Sequence, residues 1–285
     1  ALSRVLGQSV QIALLESDAI GTVGVGEATI PTIHWFNQLV GIDEAEFLAA
    51  TKASFKLGIE FVDWTRPGHR YFHPFGIYGA ELPGVAFHHR WLKARADGLD
   101  VSLESLSLAT QLAYANGFVK PATDPRSILS SLGYAYHFDA ARLAEVLSAE
   151  ARAMGVAHLS GTLTGVGLNP ETGAIDHVVT AEHGTLAADL YIDCSGFRAE
   201  LIGGALQSPF KGVRDQLFTD RALACKLPYD RPDVPLESYT IAAAHEAGWT
   251  WDIGLAGARG IGCVYSSDHM SDERAAEILA AYTGG

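Results

Sequence analysis

Few residues of this chain combine the type and spacing needed for chemistry, and Lys56 leads them. It lies in SFKLGIEFVDW, Ser54 to Trp64, where Phe55, Leu57, Ile59 and Phe61 alternate with Lys56, Gly58 and Glu60. A period of two sends the apolar set to one face of a strand and the lysine to the other. Two readings are open. One is a half-buried strand with a wet outer face. The other is a lysine aimed into a cavity, with Gly58 leaving space at its ammonium, where desolvation lowers the pKa and frees the amine. Glu16 closes the apolar run VQIALLES. That run reads as the second strand of a dinucleotide-binding unit with an acid for a ribose hydroxyl, or as a strand ending in a solvated acid. LAADLYIDCSGFR reads as a buried strand entering a glycine turn, where Ser195 and Gly196 would aim backbone amides at a ribityl or phosphate group. His69 and His73 are four apart, but Pro74 disfavours a helix and no third ligand has a clear spacing, so no metal site is expected.

The elements that must position these residues follow from the same rules. In GTVGVGEATIP, Gly24 and Gly26 allow backbone turns closed to other residues. Thr29 is placed at an N-cap and Pro31 in the first turn of a helix that stops at Gly41. Asp43, with Glu46 three residues on, caps a second helix. Helices are expected over Val85–Ala96 and Ser102–Ala113, and an amphipathic one over about Asp139 to Gly155. NPETG turns between two strands. Beyond Thr219 the pattern is mostly strands, ALACKLP, SYTIAAAH, GWTWDIGL and GIGCVYSS, before a last helix over Asp272–Tyr282. Trp249 and Trp251 alternate and so share one face.

Composition narrows the function. With 48% apolar and 19% charged residues over 285 positions, the chain can bury a large core. A net charge of −13 repels phosphate backbones and anionic lipid, so neither nucleic acid nor a membrane surface is an expected partner. Cys194, Cys225 and Cys263 are far apart and read as reduced thiols of a cytoplasmic protein.

Four segments in this order, VGVGEATIP (Val23–Pro31), SFK (Ser54–Lys56), HPFG (His73–Gly76) and GWTWDI (Gly248–Ile253), resemble the flavin-dependent tryptophan halogenases along most of the chain. The resemblance implies an α/β, two-domain FAD-binding fold, with a dinucleotide-binding domain (about 1–42 and 139–205) interleaved with a sheet-bearing substrate domain (about 54–136 and 219–270). It implies reduced FAD supplied by a separate flavin reductase, and halide as co-substrate. Hypohalous acid would be carried or hydrogen-bonded by Lys56 to a small electron-rich aromatic, tryptophan or another indole. His73 and Phe75 would sandwich that ring, with Pro31 also on the substrate side. Gly24, Gly26, Glu27, Ala28, Thr29 and Ile30 would lie along the flavin, and Glu16, Ser195 and Gly196 would also hold it. Trp249 and Trp251 would keep the substrate apart from it. The family's motif has a proline where this chain has Gly254, which predicts a looser backbone there. The first strand with its G-x-G-x-x-G turn is expected before Ala1, and the family's glutamate partner beyond Gly285. Homodimerisation stays open, as do a flavin monooxygenase of the same fold and a non-catalytic flavin-binding protein.

Overall fold

A computed structural model describes residues 1–21, 24–80, 83–231 and 233–284. Val23, which opens the VGVGEATIP motif, lies outside them. The chain divides into two compact units, a smaller one of residues 2–22 and 148–216 and a larger one of residues 23–147 and 217–285.

In the smaller unit, Ala13–Glu16 pairs in parallel with Ala157–Ser160, which places Glu16 opposite Ser160 at the strand ends. A three-stranded antiparallel sheet has the order Gly184–Ala187, Ile175–Thr180, Leu163–Leu168. NPETG closes its hairpin as expected: the Asn169 side chain accepts from the amides of Glu171 and Thr172, each at 2.9 Å. LAADLYIDCSGFR departs from the expected buried strand. The strand ends at Ala187, and Leu190 and Ile192 are 77% and 61% exposed. A buried strand needs a neighbour for its backbone groups, and no strand among the described residues pairs with 188–195.

The larger unit holds a six-stranded sheet in the order Arg221–Pro228, Ala258–Tyr265, Gly248–Leu255, Thr240–His245, Gly58–Val62, Arg70–Pro74. A second sheet runs Glu27–Ala28, Ala135–Phe138, Ser54–Lys56. The lysine segment is therefore two strands in two sheets. The break is Leu57, whose amide donates to Ser238 O and whose carbonyl accepts from Phe75 N, both at 2.7 Å. Those bonds hold Leu57 outside either ladder, and its side chain is buried with Phe72, Ala109, Ala113 and Leu132. Of the two readings left open, the wet outer face is overturned: Lys56 and Glu60 are 3% and 2% exposed, whereas Ile59 and Phe61 are half-buried. Elements pack against both faces here, so alternation no longer separates core from solvent.

Asp43 and Gly41 act at the helix ends expected of them, and Thr29 does not. Asp43 caps Glu44–Thr51 by accepting from Ala45 N and Glu46 N, and Gly41 ends Ile33–Val40 in the left-handed region, φ 82°. Thr29 is not an N-cap, because its hydroxyl donates to Tyr136 O at 2.9 Å and accepts from Tyr136 N at 3.0 Å. That exchange anchors the loop to the second sheet, and the helix begins only at Ile33 with Thr32 before it. The helix expected over Ser102–Ala113 is shortened to Leu108–Tyr114, since Ser107 accepts from Thr110 N and caps it there. A 3₁₀ turn, Glu104–Leu106, precedes it. Phe87–Ala96, Ala140–Ala153 and Asp272–Thr283 complete the longer helices.

Candidate active site

The site is built around an amine that burial has left without a counter-ion. Lys56 is the last residue of its strand, opposite Ala135. Among the described residues no carboxylate pairs with it, and burial alone pushes its pKa from 10.5 down to about 8. Its Nζ lies 5.3 Å from the centroid of the Phe75 ring, within the range of a cation–π contact. Phe75 reaches this point because its amide is held by Leu57 O, one residue beyond the lysine.

The open space expected beside the ammonium at Gly58 is filled. A Cβ at Gly58 would run into the His73 carbonyl and the Phe72 ring. Gly58 is a close-approach residue that lets Arg70–Pro74 sit against the lysine segment, with Gly58 opposite Pro74 and Ile59 opposite His73. Phe75 is buried, and the His73 side chain is exposed. Glu60, two residues from the glycine, is engaged by Arg70, whose Nε donates to Oε1 at 2.9 Å.

The loop residues differ in burial within this unit. Gly26 is buried with φ 146°, a conformation that favours glycine, and an added Cβ would press on Leu255 Cδ1 at 3.0 Å. Gly24 and Glu27 are exposed, Glu27 faces Phe138 and Ala28 faces His137. Ile30 is exposed and Pro31 half-buried, so this end of the loop presents apolar surface. Trp249 and Trp251 have centroids 6.1 Å apart, and Trp251 lies over Gly262, where no side chain could fit. Gly254 is part of the regular strand, in register with Arg259, and so is not looser backbone. A Cβ there would stand 3.3 Å from the Tyr229 hydroxyl.

In the smaller unit, Glu16 accepts from His158 Nε2 at 2.5 Å. Ser195 donates to Asp193 Oδ1 at 2.6 Å, and its own amide returns to the same oxygen at 3.0 Å. Asp193 also accepts from the amides of Leu201 and Ile202, and these bonds hold its carboxyl down at about 2. Gly196 has φ 66°, with nothing within 4 Å of where a Cβ would stand, so the turn is tight and its flank open. The expected presentation of the Ser195 amide to a ligand is therefore corrected, since that amide is spent on Asp193, while Gly196 keeps an open flank.

One residue of the larger unit escaped the sequence reading. His137 is fully buried, bonded through Nε2 to Thr240 Oγ1 at 2.9 Å and through Nδ1 to Ser54 Oγ at 3.4 Å. Burial, with the Lys56 charge, pushes its pKa down to about 3. Its signal was a histidine within the apolar run AYHF, where a buried polar ring requires partners.

The tryptophan halogenase family model matches residues 1–285. Tryptophan 6-halogenase SttH of Streptomyces toxytricini is 38% identical over 99% of this chain and 57% of its own length. Tryptophan 7-halogenase RebH of Lentzea aerocolonigenes is 34% identical over 96% of this chain and 54% of its own. The solved structure of BrvH, a flavin-dependent halogenase from Brevundimonas sp. BAL3, superposes with a TM-score of 0.92 at 38% identity, covering 99% of this chain and 56% of that one. The chain thus spans a little over half the length of these relatives.

Proposed function

Because the chain belongs to the tryptophan halogenase family, as the match over residues 1–285 shows, we propose that the protein carrying it halogenates an electron-rich aromatic, tryptophan or another indole. The observation that carries this reading is the buried Lys56 amine, with no carboxylate partner among the described residues, beside the Phe75 ring. Reduced FAD, when bound, supplies the dioxygen chemistry that converts halide to hypohalous acid. Lys56 would hold that species through its Nζ, as an N-halo or hydrogen-bonded form, and aim it at the substrate ring. An amine with a pKa near 8 is partly unprotonated at neutral pH, and the N-halo form needs that free amine, the N–halogen bond forming as the O–halogen bond breaks and an N–H proton leaves with the hydroxyl as water; the protonated amine can hold hypohalous acid by donating a hydrogen bond. His73, Phe75 and Pro31 would line the ring's position. Trp249 and Trp251 would keep the ring apart from the cofactor. In the larger unit the loop from Gly24 through Ile30 would run along the flavin. In the smaller unit Glu16 and Gly196 would hold its ribose and phosphate side. A separate reductase would supply the reduced cofactor.

The test is incubation with FAD, a flavin reductase, bromide and a panel of indoles, with products read by mass. Bromide-dependent gain of one bromine for one hydrogen supports the reading. Hydroxylated product formed without halide would assign a flavin monooxygenase instead. Phe75→Ala is expected to weaken substrate binding by on the order of 1–3 kcal/mol through lost area and ring contact. Flavin affinity, measured by fluorescence titration on the same protein, should stay unchanged. An equal loss of flavin affinity would make Phe75 a packing residue only.

A further inference from the structure

We propose that His137 is a positioning residue for Lys56, a neutral imidazole that bolts the lysine strand to the two strands of the six-stranded sheet carrying Thr240 and Gly254. Ser54 Oγ donates its hydrogen to the Gly254 carbonyl at 2.8 Å, so toward His137 it accepts, and Nδ1 must carry a proton. Nε2 then receives the Thr240 hydroxyl at 2.9 Å. Both ring nitrogens are satisfied by the neutral tautomer; a second proton would turn the Thr240 hydroxyl from donor to acceptor and place a charge in a fully buried site that already feels the Lys56 charge. The bonds therefore run one way, Thr240 to His137 to Ser54 to Gly254.

Each member of this relay stands at a position that matters to the lysine. Ser54 begins the three-residue strand that ends at Lys56, and it lies opposite His137 in the ladder. Gly254 is three residues beyond Trp251 in the same strand, and Thr240 opens the neighbouring strand, opposite Ile59. A strand of three residues has little ladder of its own, so side-chain bonds at its first residue fix where its last residue stands. The ring is itself fully buried, and the Lys56 charge acts on it. Loss of the bolt would let the strand shift and water reach Nζ.

This inference rests on the assignment of Lys56 as the working amine, but its test does not use halogenation. The amine titration of Lys56 would be followed in the protein that carries this chain, by competitive acetylation from about pH 6 to 11 with peptide mass as the readout. The wild-type midpoint is expected near 8. His137→Leu should raise it by at least about one unit, so that acetylation at neutral pH falls about tenfold. His137→Asn, whose amide reaches Ser54 from nearly the Nδ1 position, should restore most of the wild-type midpoint. A histidine that merely filled space would leave the Leu and Asn variants alike. If the Leu variant does not fold, Thr240→Val removes the bond to Nε2 and Ser54→Ala the bonds to Nδ1 and to the Gly254 carbonyl, each with little change of volume, and both should raise the midpoint. A folded Leu variant with a wild-type midpoint would overturn the proposal, as would unchanged midpoints in both Thr240→Val and Ser54→Ala. Halogenation by Lys56→Met would overturn the function assigned to the lysine and leave the titration result standing.

Discussion

Lys56→Met is expected to unfold at higher denaturant than wild type at neutral pH, by up to about 3 kcal/mol. The folded-state pKa of Lys56 is about 8 against 10.5 for the free side chain, and a shift of that size is a destabilisation of the charged form. The sign follows from proton counts. Between these two values the unfolded chain holds a proton on Lys56 that the folded chain has lost, so stability rises with pH. Below about 8 both states are protonated and the full cost is present; near 10.5 it has gone. The advantage of methionine should therefore be greatest below pH 8 and vanish toward pH 10.5. Methionine keeps the length and apolar stem of lysine without the desolvated charge. Urea melts at two pH values check this. A Met variant less stable than wild type at neutral pH would mean that the ammonium has a partner that the structure does not contain. A stabilising substitution at a buried residue marks a group retained for its chemistry.

Gly58→Ala is expected to cost on the order of 3 kcal/mol or to prevent folding. The added Cβ meets the His73 carbonyl and the Phe72 ring, and the carbonyl belongs to a paired strand that cannot swing away. Relief requires that Arg70–Pro74 move off its neighbour, carrying Phe75 away from the lysine. Stability and ring binding should fall together. Calorimetry on the variant, with the adjacent surface change Arg66→Ala as a control, separates this from general sensitivity. A loss below about 1 kcal/mol would show that the strand can yield.

Much of this arrangement was legible in residue order, for stated reasons. Gly248–Leu255 was readable as a strand because Trp249, Trp251, Ile253 and Leu255 alternate with other residues, and Thr240–His245 because it is a short, mostly apolar run before the turn at Glu246 and Ala247. Asp43 and Gly41 were readable as caps because capping is local chemistry. The lysine segment was not, because alternation cannot reveal that Leu57 leaves the ladder to bond Ser238 and Phe75. Those partners lie 181 and 18 positions away in the chain. Thr29 misled for a similar reason: its hydroxyl is taken by Tyr136, 107 residues on, in preference to the nearby helix end. Gly58 was recognised as significant, but a glycine admits a neighbour as readily as it leaves a void. His137 stayed silent because a lone histidine in an apolar run shows neither its tautomer nor its partners.

The halogenated product formed per flavin oxidised, in wild type and in Lys56→Met side by side with a reductase and bromide present, tests the central assignment most directly. Both proteins should oxidise flavin at similar rates, since the substitution removes an amine and no cofactor contact proposed here. Halogenated product from the Met variant should fall by on the order of 10²–10⁴-fold, the usual weight of one positioned catalytic group. Equal product per flavin oxidised from a folded Met variant would contradict the assignment of Lys56 as the residue that delivers the halogen.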